Sequence, residues 1–142
     1  MVKTWKWLFF LVLAGIAWFA NADPALADRE QALRQRVQER WASLIKRDWA
    51  VAYSFETPVY RASYPLERYQ SKFGNDIIWE GATISHVLFE GDEVATVYVD
   101  VQYQLARLVA GEAHRFDAQV TEKWIRSDDQ WWHASPTVGS KL

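Results

Sequence analysis

The chain has 142 residues and a formal net charge of −2 at pH 7, from 16 lysines and arginines against 18 aspartates and glutamates. The two signs are interspersed without a basic run, which argues against a nucleic-acid partner and against electrostatic binding to an anionic membrane. There is no cysteine, so disulfides, thiol chemistry and a lipid-attachment cysteine are excluded, and an exported domain of this size must be held together by its core.

Residues 1–27 have the order of a secretory signal. Two lysines give a basic start, an uncharged apolar run follows, and Ala25 and Ala27 supply the small residues that a signal peptidase reads. We therefore predict cleavage before Asp28 and a periplasmic or secreted mature domain without membrane attachment. The alternative is that the signal stays uncleaved and residues 5–20 anchor the protein in the inner membrane, although this run is short for a membrane span.

The first half of the mature chain predicts helices. Apolar residues at three- and four-residue spacing predict one buried stripe on a first helix, with charged residues on its solvent-facing sides. Asp48 is suited to cap a second helix, which reaches Phe55 and is stopped by Pro58. A third helical segment is expected over residues 66–73 and is closed by Gly74. The stripe consists of Leu33, Val37, Trp41, Leu44 and Ile45, and the solvent-facing set consists of Arg34, Arg36, Glu39, Arg40, Lys46 and Arg47.

The second half predicts an antiparallel sheet, because four segments are rich in β-branched and aromatic residues and are separated by turn signals. Helices followed by strands are typical of an α+β domain, which we expect to span residues 28–136. The tail, residues 137–142, is expected to fray. The four predicted strands are residues 77–89, 94–108, 116–126 and a short run from Trp131.

A two-residue turn at Gly91-Asp92 would fix the register of the first two strands. In that register His86 pairs with Val97 on the face that meets the helices, and Ile84 pairs with Val99 on the same face. The corresponding row of the next strand is apolar apart from Glu122. The outer face then carries an apolar patch that is either a subunit interface or the half-exposed surface of a monomer. The patch consists of Val87, Phe89, Val94, Thr96 and Tyr98.

Four stretches resemble the nuclear-transport-factor-2-like superfamily, and the resemblance covers nearly all of residues 28–136. It implies helices packed on a strongly curved antiparallel sheet that forms a cone with one open end. The hollow of such a cone holds a small apolar ligand or an active site in some members, and other members only bind or assemble, so the fold does not give the activity. The chain is most similar to small exported bacterial members. The stretches are "RWASLIKRDWAVAYSFETPVYR" (40–61), "YPLERYQSKFG" (64–74), "GDEVATVYVDV" (91–101) and "TEKWIRSDDQWW" (121–132).

The residue types leave acid–base chemistry as the one catalytic option. The three histidines have no metal-binding spacing and the glycines are isolated, so we expect neither a metal nor another cofactor. Glu122 and His86, pointing into one cavity from opposite sides, would form a catalytic pair that moves a proton. The alternative is that both are structural, with Glu122 held by a backbone amide, Arg61 or Tyr103.

Three functions follow as hypotheses. The first is an exported, non-catalytic domain that binds a small apolar ligand or an envelope partner protein in or around the cone. The second is an acid–base enzyme of the ketosteroid isomerase or dehydratase kind that uses Glu122 and His86. The third is a homodimeric scaffold of an envelope assembly, joined through the outer face of the sheet. The expected ligand-binding residues are Trp41, Tyr53, Trp79, Tyr103 and Trp124.

Overall fold

The structure, a computed structural model, describes residues 23–106 and 114–136. Four helices are followed by four strands, so the predicted α+β class is confirmed. Most of the predicted signal, the end of the second predicted strand and the tail at residues 137–142 lie outside the described residues. The helices are α1 (Pro24–Ile45), α2 (Trp49–Ser54), α3 (Pro58–Ser63) and α4 (Leu66–Ser71), and the strands are β1 (Ile77–Glu90), β2 (Val94–Leu105), β3 (Arg115–Ser127) and β4 (Gln130–His133).

Helix α1 begins earlier than the sequence pattern indicated. The Asp23 side chain caps it by accepting a hydrogen bond from the backbone N–H of Ala25 at 3.0 Å, and Pro24 occupies the first turn, where it needs no N–H partner. The predicted cleavage position before Asp28 therefore lies inside this helix. Four residues of the predicted stripe are buried as expected: Leu33, Val37, Trp41 and Leu44.

One expectation for α1 is wrong. Arg40, assigned to the solvent-facing set, is only 5 % exposed. The reason is its position: Val37, Arg40 and Leu44 follow one another at intervals of three and four residues, so the guanidinium lies on the same side of the helix as the apolar stripe.

The short helices follow their capping residues. Asp48 caps α2 as predicted, accepting from the backbone N–H of Val51 at 3.2 Å. Pro58 does more than stop α2, because it opens α3, which the sequence prediction missed. Thr57 caps α3 by accepting from the backbone N–H of Tyr60 at 3.2 Å. Proline in the first turn of a helix is favourable, so the same residue ends one helix and starts the next.

The sheet is antiparallel throughout, in the order β1-β2-β3-β4, and does not close on itself, since β1 and β4 remain at its edges. Helix α1 lies against the sheet and contacts β1 and β4. The inward row of β2 is buried as predicted, and it forms the centre of the core. That row consists of Ala95, Val97, Val99 and Val101.

The predicted register of β1 and β2 is right in one part and wrong in another. Ile84 pairs with Val99 as expected, but the register then shifts by one residue, and His86 pairs with Tyr98. The extra residue is Ser85, whose hydroxyl donates to the Tyr98 carbonyl at 3.2 Å, and the turn has three residues between Glu90 and Val94.

This β-bulge exchanges the two faces of the end of β1. Val87 and Phe89, assigned to the outer patch, contact the core. His86 and Leu88, assigned to the buried face, are exposed. Because side chains alternate along a strand, one inserted residue reverses every later assignment.

Candidate functional site

The two residues of the predicted catalytic pair lie on opposite faces of the sheet. Glu122 is 3 % exposed and points inward from β3. His86 lies on the outer face, where its ring stacks on Tyr98 with centroids 4.0 Å apart and an interplanar angle of 12°. The expectation that both side chains point into one cavity is therefore wrong, and its cause is the bulge at Ser85.

Glu122 is held by two donors. Arg40 Nη1 donates to Glu122 Oε1 at 2.7 Å, and Trp124 Nε1 donates to Glu122 Oε2 at 3.0 Å. The residues expected to hold this carboxylate, Arg61 and Tyr103, do not do so. With one donor on each oxygen, the buried carboxylate is satisfied by the protein itself.

A second buried carboxylate meets the same arginine. Arg40 Nη2 lies 3.7 Å from Glu56 Oε1, and His133 Nδ1 lies 2.9 Å from that same oxygen. The backbone repeats this link, because the Thr57 N–H donates to the His133 carbonyl at 3.1 Å and the His133 N–H donates to the Phe55 carbonyl at 2.8 Å. We call Arg40, Glu56, Glu122 and His133 the ion cluster; it joins α1, the connection between α2 and α3, β3 and β4.

The pKa values in and beside the ion cluster follow from burial and from the neighbouring charges. Burial alone would lower the pKa of Arg40, but Glu122, Tyr69 and Glu56 together outweigh it and raise that pKa. Burial alone would raise the pKa of Glu56, but the hydrogen bond from His133 and the charges of His133 and Arg40 hold it below its usual value. Burial raises the pKa of the adjacent Tyr69 to about 12. At neutral pH the cluster therefore contains a guanidinium and an ionised Glu56 beside a neutral phenol.

The expected ligand-binding aromatics divide into two groups. Trp41 meets Trp79 edge-on with ring centroids 5.4 Å apart, Trp79 lies 5.7 Å from Tyr103, and Tyr103 lies 5.5 Å from Phe116. We call these four residues the aromatic row. Trp41 is buried, and the other three are partly exposed.

Tyr53 and Trp124 make their contacts with residues outside the aromatic row. The Tyr53 hydroxyl donates to the Tyr64 carbonyl at 2.6 Å and lies 3.0 Å from the Arg61 carbonyl oxygen, which fixes the end of α3. Trp124 is fully buried, donates to Glu122 and meets the His133 ring edge-on. Both side chains therefore serve internal contacts, and the structure groups only Trp41, Trp79 and Tyr103 among the five predicted residues.

Arg40, Glu56 and His133 were missed by the sequence reasoning. The helical spacing of Arg40 was a usable signal, because it continues the buried stripe. The inward position of His133 could have been predicted from the pairing of β3 and β4, which sets it opposite the inward residue Trp124. Glu56 lies between two short helices, where no periodicity indicates which side chains are buried.

The outer face of the sheet carries two large exposed apolar side chains at the end next to the turn between β1 and β2, and it is crossed by two ion pairs. Leu88 is 52 % exposed and Ile125 is 38 % exposed. Glu90 of β1 pairs with Lys123 of β3 at 2.9 Å, near the turn between β1 and β2. Nearer the start of β1, Glu80 pairs with Arg115 of β3 at 2.5 Å. Acidic side chains thus lie on β1 and their basic partners on β3.

A groove of about 580 Å³ lies at the start of α1 and is lined by Asp23, Arg29, Asp92 and Trp131 among others. No residue of the ion cluster lines it. Over residues 23–106 and 114–136, no three or more histidine, aspartate or glutamate side chains group as metal ligands would. Within the same ranges, the helices are too short or too polar to cross a bilayer.

Comparison with known proteins gives a fold and no family. No protein-family model matches the chain, and no curated protein matches it. Among solved structures, a SEC-C motif containing protein from Rhodopseudomonas palustris, determined in solution, matches with a TM-score of 0.55 over 70% of this chain and 73% of that chain, at 10% sequence identity. At that identity the likeness concerns the fold alone. The resemblance to the nuclear-transport-factor-2-like superfamily drawn from the sequence is therefore wrong, and the fold of this chain is similar to that of the SEC-C motif containing protein.

Proposed function

We propose that the protein is an exported, non-catalytic domain whose outer sheet face binds a second copy of the chain, and that the resulting homodimer is a scaffold for an envelope assembly. The observation that carries this proposal is the exposure of Leu88 and Ile125 beside the Glu90–Lys123 ion pair, at one end of the outer face. Large apolar side chains on a sheet surface that is bounded by charges are typical of an interface.

The hydrogen bonds of Glu122 support a non-catalytic role. Its two oxygens accept hydrogen bonds from Arg40 and Trp124, so both oxygens are already bonded within the protein. A general acid or base must reach the proton that it transfers, and Glu122 is buried under α1 while His86 is on the other face of the sheet.

The charge pattern favours a second copy over an unrelated partner. If two outer faces meet about a two-fold axis parallel to β2, then β1 of one copy lies over β3 of the other. Glu80 and Glu90 would thereby face the strand that carries Arg115 and Lys123 in the partner copy. Such a pairing would bring the charges of the two ion pairs opposite their complements and would place the apolar ends of the two faces together.

The size of the protein in solution tests this proposal. We expect wild type to sediment as a dimer and Leu88→Asp to sediment as a folded monomer, because the substitution buries a charge in the interface but leaves the core unchanged. Val59→Asp is the matched control, since Val59 is 76 % exposed on α3 and lies outside the sheet. A monomeric wild type, or a Leu88→Asp dimer that is as stable as the Val59→Asp dimer, would contradict the proposal.

A second candidate function, binding of a small apolar ligand, is favoured by the aromatic row. Trp79, Tyr103 and Phe116 combine aromatic stacking with partial exposure, as in many apolar binding sites. We place the open end of the proposed cone at this row. Native mass spectrometry of gently extracted protein tests it: a bound apolar molecule that is lost in Tyr103→Ser but kept in Tyr98→Ser is the expected result. Extraction of wild type without such a molecule would contradict this candidate.

A further inference from the structure

We propose that Arg36, Arg61 and Trp132 form a binding site for a small oxyanion, a phosphate or carboxylate group. Arg36 comes from α1, Arg61 from the last turn of α3, and Trp132 from β4. The guanidinium carbons of Arg36 and Arg61 lie 5.5 Å and 5.4 Å from the ring centre of Trp132. Three separate elements thus bring two positive charges to one aromatic ring, and this arrangement is independent of the proposed dimer.

The two charges have no counter-charge within the described residues, where neither guanidinium forms an ion pair with a carboxylate. Two acids are near Arg36, and each has another partner. Glu39 lies one turn further along α1 and accepts from a glutamine amide of the same helix at 2.9 Å. Asp129 lines a groove with Arg36 but pairs with Arg126 at 2.9 Å. Glu39 therefore acts on Arg36 through space without an ion pair, and within the described residues no carboxylate pairs with Arg61.

Both guanidinium groups are also partly removed from water. Arg36 lies over the Phe55 ring at 4.4 Å, and burial lowers its pKa in spite of the nearby Glu39. Arg61 Nε is shielded from solvent and has no hydrogen-bond partner among residues 23–106 and 114–136. A partly desolvated cation without a counter-ion is unfavourable, so a bound anion would recover the lost electrostatic energy.

The two arginines would have different parts in the site. Arg36 Nε donates to the Trp131 carbonyl at 3.1 Å, and the Gln130 amide oxygen, when turned toward Arg36, accepts from both terminal nitrogens at 2.9 Å. Arg36 is therefore held in place through three of its five N–H donors. Arg61 makes no side-chain hydrogen bond in the described part of the chain, so its donors remain for a ligand. A planar fork of N–H donors matches two oxygens of a carboxylate or a phosphate.

Salt-matched thermal unfolding of the purified protein tests this site. Inorganic phosphate and acetate are titrated separately, each against sodium chloride at equal ionic strength, so that general screening is subtracted. We expect at least one of the two anions to raise the Tm of wild type above the chloride baseline. A response to phosphate alone that is lost in Arg61→Gln identifies a phosphate site, and a response to acetate alone that is lost in Arg61→Gln identifies a carboxylate site, because general salt stabilisation does not depend on Arg61.

Two variants separate the site from general charge effects. Arg61→Gln should bind the effective anion at least about tenfold more weakly, whereas Lys46→Gln, which removes the same charge from an exposed position at the end of α1, should bind it as wild type does. Arg61→Lys keeps the charge without the fork and should give an intermediate affinity. Each variant is compared with its own chloride baseline, so a loss of fold stability does not imitate a loss of binding. Equal Tm values for wild type in all three salts, or equal weakening in Arg61→Gln and Lys46→Gln, would overturn the proposal.

Discussion

At the scale of single residues, Arg40 is the member of the ion cluster that contacts both buried carboxylates. It is bonded to Glu122 and lies within salt-bridge distance of Glu56, and the three side chains are almost completely buried. Burying one of these charges alone would be very unfavourable, so each depends on its partners. We therefore expect the ion cluster to favour one arrangement of α1, β3 and β4 rather than to add to the net free energy of unfolding.

Removing the arginine alone should leave two unpaired buried carboxylates. We expect Arg40→Met to lose about 3–5 kcal/mol of unfolding free energy, measured by urea denaturation. Arg34→Met is the matched control, because Arg34 pairs with Glu30 at 2.7 Å on the partly exposed surface of the same helix, and its loss should stay within about 1 kcal/mol. Adding Glu122→Gln to Arg40→Met should restore part of the loss, since it removes one stranded charge. Equal losses of unfolding free energy in Arg40→Met and Arg34→Met would contradict the prediction, because the buried ion pairs would then contribute no more to stability than the surface pair.

The lowered pKa of Glu56 predicts the pH dependence of stability. The folded protein holds this carboxyl ionised at a pH where the unfolded chain, with a pKa near 4.5, takes up a proton. The contribution of Glu56 is therefore complete above the unfolded pKa and is lost as the pH falls through the lower folded pKa. Urea unfolding from neutral to acid pH should show a steeper loss in wild type than in Glu56→Gln. Glu90→Gln should reduce the slope less than Glu56→Gln does, because the Glu90–Lys123 pair that lowers the pKa of Glu90 is exposed and screened by solvent.

The sequence identified one of the four residues of the ion cluster, Glu122, for a definite physical reason. Glu122 interrupts an apolar row, and a charge in such a row must be buried and compensated, so its importance was readable. Its partner was not, because an arginine on an amphipathic helix is usually solvated and only the spacing of Arg40 argued otherwise. Glu56 and His133 meet through contacts between distant parts of the chain, which local patterns do not encode.

At the scale of elements, the strand positions were predicted well and one register was not. The run from Ile84 to Phe89 has three apolar residues in succession at its end, so either register places apolar side chains inward. The choice is made by the bulge at Ser85, for which the alternating pattern contains no signal. Helix α3 was missed for a similar reason, since Pro58 is compatible with both the end and the beginning of a helix.

Adjacent substitutions on β1 distinguish the two registers. Val87 contacts the core, so Val87→Ser should lose about 1–3 kcal/mol of unfolding free energy. Leu88 points to the outer face, so Leu88→Ser should change the unfolding free energy by no more than about 0.5 kcal/mol when measured on the dissociated monomer. The unbulged register requires the opposite order. Urea titrations of the two variants side by side therefore decide where the extra residue lies.

At the scale of the whole molecule, the first residues of α1 contribute no side chain to the hydrophobic core. The buried side chains of this helix start at Leu33, and every residue from Asp23 to Asp28 is exposed. The first long-range contact is made by Arg29, which pairs with Asp92 in the turn between β1 and β2 and lies over the Phe89 ring at 4.9 Å. Cleavage before Asp28, as the sequence predicts, would thus keep Arg29 and every buried side chain of α1.

A chain that starts at Asp28 should therefore fold almost as stably as one that starts at Asp23. It loses the Asp23 cap and the first turn, but Asp28 is itself a favourable capping residue, so we expect a loss of about 1 kcal/mol or less in urea denaturation. A chain that starts at Gln35 is the control, because it also lacks Arg29 and the buried Leu33 and should lose several times as much. If the chain from Asp28 were as unstable as the chain from Gln35, processing at the predicted position would be incompatible with this fold, and an export signal would have to end before α1.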